Sequence, residues 1–354
     1  MIKKIAKASL ALSALLVASS PAFAGSTAHD GIALSNSYAG NSFRQEMIKM
    51  WSLSANGAIK DGIVGKAKVV NADNSVSEQE SQIEDLILQG WKAIAIDAAS
   101  PTALNGVISK ACHAGVVVVT FDSMVTAPCA YKVAYDNVQM GNIEANFVGK
   151  ALGGNGNVLE IRGMPGTSVD MDIHQGITDT FKNYAGIKIV GSVYGDWTQS
   201  VAQKQVASIL PSLPAIQAVV TQGGDGYGAY QAFKSANRPV PLIIMGNRYD
   251  ELNLWSQLSQ QPGGYHTLSI GDAPGIASIA FWVAQQILEG HKVPKVTHIP
   301  LFQIHQDDLA AWLKVTTPGT VATPIYTQAW VESLIDANVN NMPAPAAPQP
   351  APIP

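Results

Sequence analysis

Residues 89–122 read QGWKAIAIDAASPTALNGVISKACHAGVVVVTFD, and the rhythm within them decides the fold. An apolar run at 93–97 ends in an aspartate, an amphipathic stretch at 101–114 has helical length, and a continuous apolar run at 116–121 ends at Asp122. Apolar runs separated by a helix form parallel βαβ units, and an uninterrupted valine-rich strand is one buried on both faces. The same unit recurs upstream. A run at 31–35 leads through a polar loop into a helix at 43–55 with Ser42 placed to cap it. A run at 67–71 leads into a helix at 77–89, where Ser77 and Glu80 have the spacing of a capping box.

Downstream, a strand at 132–135 is reached without a helix, and a helix at 140–152 closes at Gly153 and Gly154. Further strands are expected at 157–161, 188–193, 218–221, 241–245 and 267–270, with helices starting near Val169, Thr198, Tyr227 and Glu251. A helix at 274–289, with Pro274 in its first turn, and a strand at 297–303 complete the series. Two sets of five strands imply two similar α/β domains, which agrees with 354 residues at roughly 150 per domain.

Composition narrows the function. Charged residues are 14% and hydrophobic ones 47%, so the chain is globular with a large interior. The 22 basic and 26 acidic residues give a net charge of -4, which lacks the basic field of a nucleic-acid binder. Lys3, Lys4 and Lys7 precede an apolar run at 8–18 and the sequence Pro21-Ala22-Phe23-Ala24, the pattern of a signal peptide over 1–24. That run is too short to span a bilayer, which takes about 20 residues, so a soluble exported protein is expected. Cleavage would leave 19 basic against 26 acidic residues, a net charge of -7. Prolines at 343, 345, 348, 350, 352 and 354 mark residues 342–354 as an unfolded, solvated tail.

In an open parallel sheet, ligands bind outside the carboxyl ends of the strands. The loops there hold Ser35 to Asn41, Asp122-Ser123, 163–172, 194–197, 222–227, Gly246 to Asp250, and Gly271-Asp272. They mix aromatic faces with carboxylates, amides and a guanidinium, the groups that pack on sugar C–H faces and pair with hydroxyls. A sugar or polyol fits such loops. No cofactor is expected: the Gly223 to Gly228 run lacks the order of a dinucleotide or phosphate-binding loop. No metal is expected either, because the seven histidines include no ligand spacing. No nucleophile elbow accompanies a triad, which argues against an enzyme.

Five segments in order and at family spacing carry a resemblance: Ile32 to Ser35, Gln89 to Ile96, Ala114 to Asp122, Tyr135-Asp136-Asn137, and Gly163 to Ser168. The chain resembles the type I periplasmic substrate-binding proteins of ABC sugar transporters, nearest the ribose-binding cluster. The resemblance implies two doubly wound parallel-sheet lobes joined by three hinge crossovers, a ligand closed between them, and delivery to an inner-membrane permease. On it, the N-terminal lobe comprises 25–135 plus 271–296, and the C-terminal lobe 136–270 plus 297–341. It implies a periplasmic location and a monomer. Ser35, Asn36, Tyr38, Asn41 and Phe43 match its first-strand loop, Asp122 its hydroxyl-binding aspartate, and Trp197 its stacking aromatic. Asp225 lies near its Asn-Asp pair. Where the family usually has an arginine after Gly-Thr-Ser, this chain has Val169, Asp170, Met171 and Asp172, and Arg248 stands near a usual aspartate. The expected ligand set adds Asp170, Asp172, Arg248 and Asp272. Two other readings stay open: a sensor-input protein for a chemoreceptor or kinase, and an exported α/β enzyme.

Cys112 and Cys129 are expected to pair. Cys112 sits in the last turn of a helix, at the amino edge of the sheet, and the six residues 123–128 must return the chain to that edge. Extended, they span about 20 Å, the length of a six-residue strand, which brings Cys129 to Cys112.

Overall fold

A computed structural model describes residues 27–353, so the expected signal peptide lies outside the described residues. The first segment alternates as β1 (Gly31–Asn36), α1 (Ser42–Lys60), β2 (Lys66–Asn71), α2 (Val76–Leu88), β3 (Ala93–Asp97), α3 (Asn105–His113), β4 (Val117–Phe121) and β5 (Tyr131–Tyr135). The second runs α4 (Asn137–Ala151), β6 (Asn155–Arg162), α5 (Ser168–Phe181), β7 (Gly186–Tyr194), α6 (Gln199–Ile209), β8 (Ala218–Val220), α7 (Gly226–Ser235), β9 (Leu242–Ile243), α8 (Tyr249–Ser259) and β10 (Ser269–Gly271). Then come α9 (Ile276–Leu288), β11 (Val296–Ile299), β12 (Phe302–Ile304), α10 (Leu309–Val315) and α11 (Gln328–Val339).

The first lobe is a six-stranded sheet in the order β11-β5-β4-β3-β1-β2, parallel throughout. Both of its faces are covered, which is why its central strands are apolar without alternation. One face packs Ile32, Leu34 and Phe121 against Trp51 of α1 and Phe281 of α9, whose rings meet edge to face at 5.1 Å. The other packs Ile94, Ile96 and Val118 against Ile83 and Leu86 of α2 and Ile108 of α3. The second lobe has the parallel order β7-β6-β8-β9, extended through a bridge from Met245 to Ser269 into the antiparallel pair β10 and β12.

The structure redraws the lobe boundary expected for residues 297–341. The single strand expected at 297–303 is split at Pro300: β11 joins β5 in the first sheet, while β12 joins β10 in the second. α11 then returns to the first lobe, burying Val331, Leu334 and Ile335 with α9 and β11. The chain therefore crosses between lobes after Tyr135, at Gly271 to Ala273, at Pro300 rather than after residue 296, and a fourth time near Thr323, against the three crossovers that the resemblance implies. Thr323 marks that last crossing by accepting from the Gly275 amide through its hydroxyl at 2.8 Å. Beyond α11 the described tail carries no helix or strand, and the Trp330 indole donates to the Ala346 carbonyl at 2.9 Å.

Two caps differ from expectation by small shifts of register. Asn41, not Ser42, caps α1, accepting from the Arg44 amide at 2.9 Å. Ser75, not Ser77, caps α2, accepting from the Glu78 amide at 3.2 Å. Among the described residues no helix is long and apolar enough to cross a membrane.

Cys112 and Cys129 are joined in a disulfide, with Cα atoms 6.4 Å apart and a sequence separation of 17. Loop closure of that length is worth about 3 kcal/mol in the chain-entropy model. The oxidised protein, denatured without reductant, should show no free thiol, and Cys112→Ser with Cys129→Ser should lower the unfolding free energy by about that amount. Two titratable thiols in the unreduced protein would contradict the pairing.

Candidate functional site

The carboxyl ends of the two sheets face each other, and between them lies a cavity of about 80 Å³. The first lobe lines it with Asn41, Phe43 and Arg44 at the start of α1 and with Asp122 and Ser123 after β4. The crossover after β10 contributes Gly271 and Asp272. From the second lobe come Met140, Val169, Ile173, Trp197, Gln222 to Gly224, Asn247 and Arg248.

Capping by Asn41 puts Arg44 in the first turn of α1, with its side chain over the ends of β3 and β4. There the guanidinium pairs with Asp97, whose side chain is fully buried, and with Asp122 at 3.0 Å. Burial lowers the Arg44 pKa, and the charges of Asp122 and Asp272 oppose that shift. Asp122 reaches the pair from a left-handed backbone, φ +57°, a conformation that costs a non-glycine residue about 1 kcal/mol or more. Asp272 is the complementary case: burial first, then the Asp122 charge, pushes its pKa well up against the pull of Arg44. Its Oδ1 is buried without a hydrogen-bond partner. A carboxyl held this way can accept from a ligand hydroxyl or, when protonated, donate to a ligand oxygen.

On the facing side, Trp197 also has positive φ, at +50°. Its ring lies against Gly163, where a Cβ would collide with the indole, so glycine there is a condition of the tryptophan's position. Arg248 donates to the Trp197 carbonyl at 2.7 Å. Gly224, at φ +82°, leaves room for that guanidinium, since a Cβ there would lie 2.5 Å from its Nε. Asn247 donates through one amide nitrogen to the carbonyls of Asp272 and Ala322, both at 3.1 Å. It thereby ties the end of the second sheet to two crossovers.

Of the residues expected to bind ligand, Asn41, Phe43, Asp122, Trp197, Arg248 and Asp272 line the cavity. The others stand elsewhere. Ser35 and Asn36 are buried inside the first lobe: the Ser35 hydroxyl accepts from Gln79 at 3.2 Å, and Asn36 donates to Asn71 and the Tyr38 carbonyl. Tyr38 is exposed outside the lining. Asp170 turns away, because Arg162 takes both its oxygens at 3.0 and 2.6 Å and the Gly163 amide adds a third donor. Asp172, also outside the lining, has its pKa raised by partial burial and by Asp136. Asp225 is fully buried behind the glycine loop. Thr167 caps α5, and Asp170 is the acid of its first turn.

Sequence reasoning missed Arg44, Gln222, Asn247 and the apolar Met140, Val169 and Ile173. Arg44 directly follows the expected Phe43, and that adjacency was the available signal. Gln222 and Asn247 lie in loops already singled out. Val169 also lies in a loop already singled out, while Met140 and Ile173 had no signal, since an apolar position in a helix looks the same whether it faces core or cavity. Among the described residues no group of three or more potential ligands could hold a metal ion.

A family profile described as periplasmic binding protein domain matches residues 32–292. The chain is 30% identical over 261 residues to the ribose import binding protein RbsB of Bacillus subtilis (strain 168), covering 69% of this chain and 81% of that protein. It is 29% identical over 245 residues to a xylitol-binding protein of Mycolicibacterium smegmatis, covering 66% and 69%. Its fold superposes on an ABC transporter solute binding protein from Thermobispora bispora DSM 43833 with a TM-score of 0.84 and 36% identity, covering 91% of this chain and 99% of that one.

Asp225 offers a test of the electrostatics behind the cavity. Burial, with Glu251 beside it, pushes its pKa well up, while Arg248 pulls it down less. A carboxyl with a raised folded pKa stabilises fully below its unfolded value, about 3.9, and that contribution is lost as pH rises through the folded value. Asp225→Asn should therefore melt above the wild type near pH 8, with the gain shrinking toward about pH 4. A variant that melts lower near pH 8 would mean that the carboxylate is ionised and held by Arg248.

Proposed function

The chain belongs to the periplasmic binding protein domain family, and on that premise we propose that it captures a small sugar or polyol between its lobes and delivers it to an ABC permease. The observation that carries this reading is the division of the cavity. Phe43 and Trp197 come from opposite lobes, and the carboxylates of Asp122 and Asp272 stand on the first lobe and the crossover. Neither lobe holds a complete site, so ligand is held fully only when both are in contact with it. Relatives named for binding ribose and xylitol support the ligand class.

Asn41, Phe43, Arg44, Asp122, Trp197, Arg248 and Asp272 are the contacts of this proposal. The aromatic rings pack on C–H faces, and ligand hydroxyls donate to Asp122 and Asp272. Arg44 keeps these carboxylates in place and offers its remaining N–H groups to ligand oxygens. The protein changes no bond in its ligand. It acts as a monomer in the periplasm after cleavage following Ala24, and its tail plays no part in the site.

The purified mature chain, titrated by calorimetry and tryptophan fluorescence with a panel of pentoses, hexoses and polyols, should bind at least one member unaltered. Asp122→Ala and Trp197→Ala should each weaken that binding by about 1.5 to 3 kcal/mol, with the fold retained by circular dichroism. Unchanged affinity in both variants would place the ligand elsewhere.

A further inference from the structure

We infer that the ligand is polar along one edge and bears only carbon and hydrogen along the opposite edge, as a deoxy sugar or deoxy polyol does. The inference rests on the sugar or polyol reading of the cavity and narrows it.

The acids of the cavity and three of its aliphatic side chains stand on different walls, with Asn247 and Arg248 on separate loops of the second lobe. Arg44, Asp122 and Asp272 gather on the first lobe and the crossover, and Asp272 still has an unpartnered buried oxygen. Across the cavity, α4 and α5 present Met140, Val169 and Ile173. These belong to one buried apolar cluster, against which Trp197 also packs. They form a continuous wall whose side chains offer no strong hydrogen-bonding group.

The polar groups bonded to the first turn of α5, which carries Val169, are already committed. Arg162 and Asp170 satisfy each other. Gln222 spends its amide nitrogen on Asp170, donating to its Oδ1 at 3.0 Å and its carbonyl at 3.1 Å, while its oxygen accepts from the Gly163 amide at 2.8 Å, so it has no N–H left for a ligand. A ligand hydroxyl aimed at the wall would lose water and gain no side-chain partner, which costs on the order of tenfold in affinity. A methyl or methylene there would instead bury apolar surface against aliphatic side chains. The faces of the ligand are served by Phe43 and Trp197, so the wall makes a separate demand on its edge.

Pairs of compounds that differ by one hydroxyl test this directly: L-fucose with L-galactose, L-rhamnose with L-mannose, 2-deoxy-D-ribose with D-ribose, and 1,2,3-butanetriol with erythritol. Calorimetry on the mature protein should find at least one pair in which the deoxy member binds about tenfold tighter or more. Val169→Thr, which places a hydroxyl on the wall at nearly constant volume, should cut that preference at least about threefold. Binding in which every parent equals or exceeds its deoxy partner would overturn the inference and leave the sugar reading standing. Failure of every compound here and of the broader panel would overturn both.

Discussion

A buried guanidinium governs the first lobe. Arg44 sits over the ends of β3 and β4 with little access to water, and a charge in that position persists only if carboxylates surround it. Asp97 and Asp122 meet that need from two adjacent strand ends, and Asp272 adds a third acid from the crossover. The parallel direction of the strands makes this possible, since it brings the carboxyl ends of β3 and β4 to one edge beside the start of α1. The acids gathered around the arginine are also the groups a hydroxylated ligand would meet.

The second lobe answers with a different device. Gly163 admits the Trp197 ring, Gly224 admits the Arg248 guanidinium, and the clamp of Arg162 on Asp170 fixes the start of α5. Asn247 joins this lobe to the crossover carbonyls of Asp272 and Ala322, so the loop that lines the cavity is bonded to the segments on which the lobes would turn. A relative movement of the lobes must pass through those bonds. The fourth crossing, which returns α11 to the first lobe, puts a further segment in that hinge region.

Much of the fold was legible because short β-branched runs alternate with amphipathic stretches of helical length, and Val117–Phe121 is too short and too valine-rich for a buried helix. Asp122, Asp272 and Trp197 were legible for the same reason, as residues just past strand ends. Other features were not, each for a physical cause. Ser75 and Ser77 both stand three residues before a glutamate, so two capping registers fit the same sequence. The apolar face of α11 announces burial but not the lobe that buries it. Asp170, placed beside the cavity in sequence, is diverted by an arginine eight residues earlier, a pairing that no local pattern announces. Met140 and Ile173 of the apolar wall were invisible because cavity and core impose the same residue types.

A ligand held between two lobes requires that they move toward each other across the shared cavity. Small-angle X-ray scattering on the mature protein, with and without a saturating concentration of the tightest-binding sugar or polyol, measures that movement directly. Closure predicts a smaller radius of gyration with ligand, and in Asp122→Ala the midpoint of that decrease should move to about 10- to 150-fold higher ligand concentration. An unchanged radius of gyration at proven saturation would contradict closure of the lobes on the ligand.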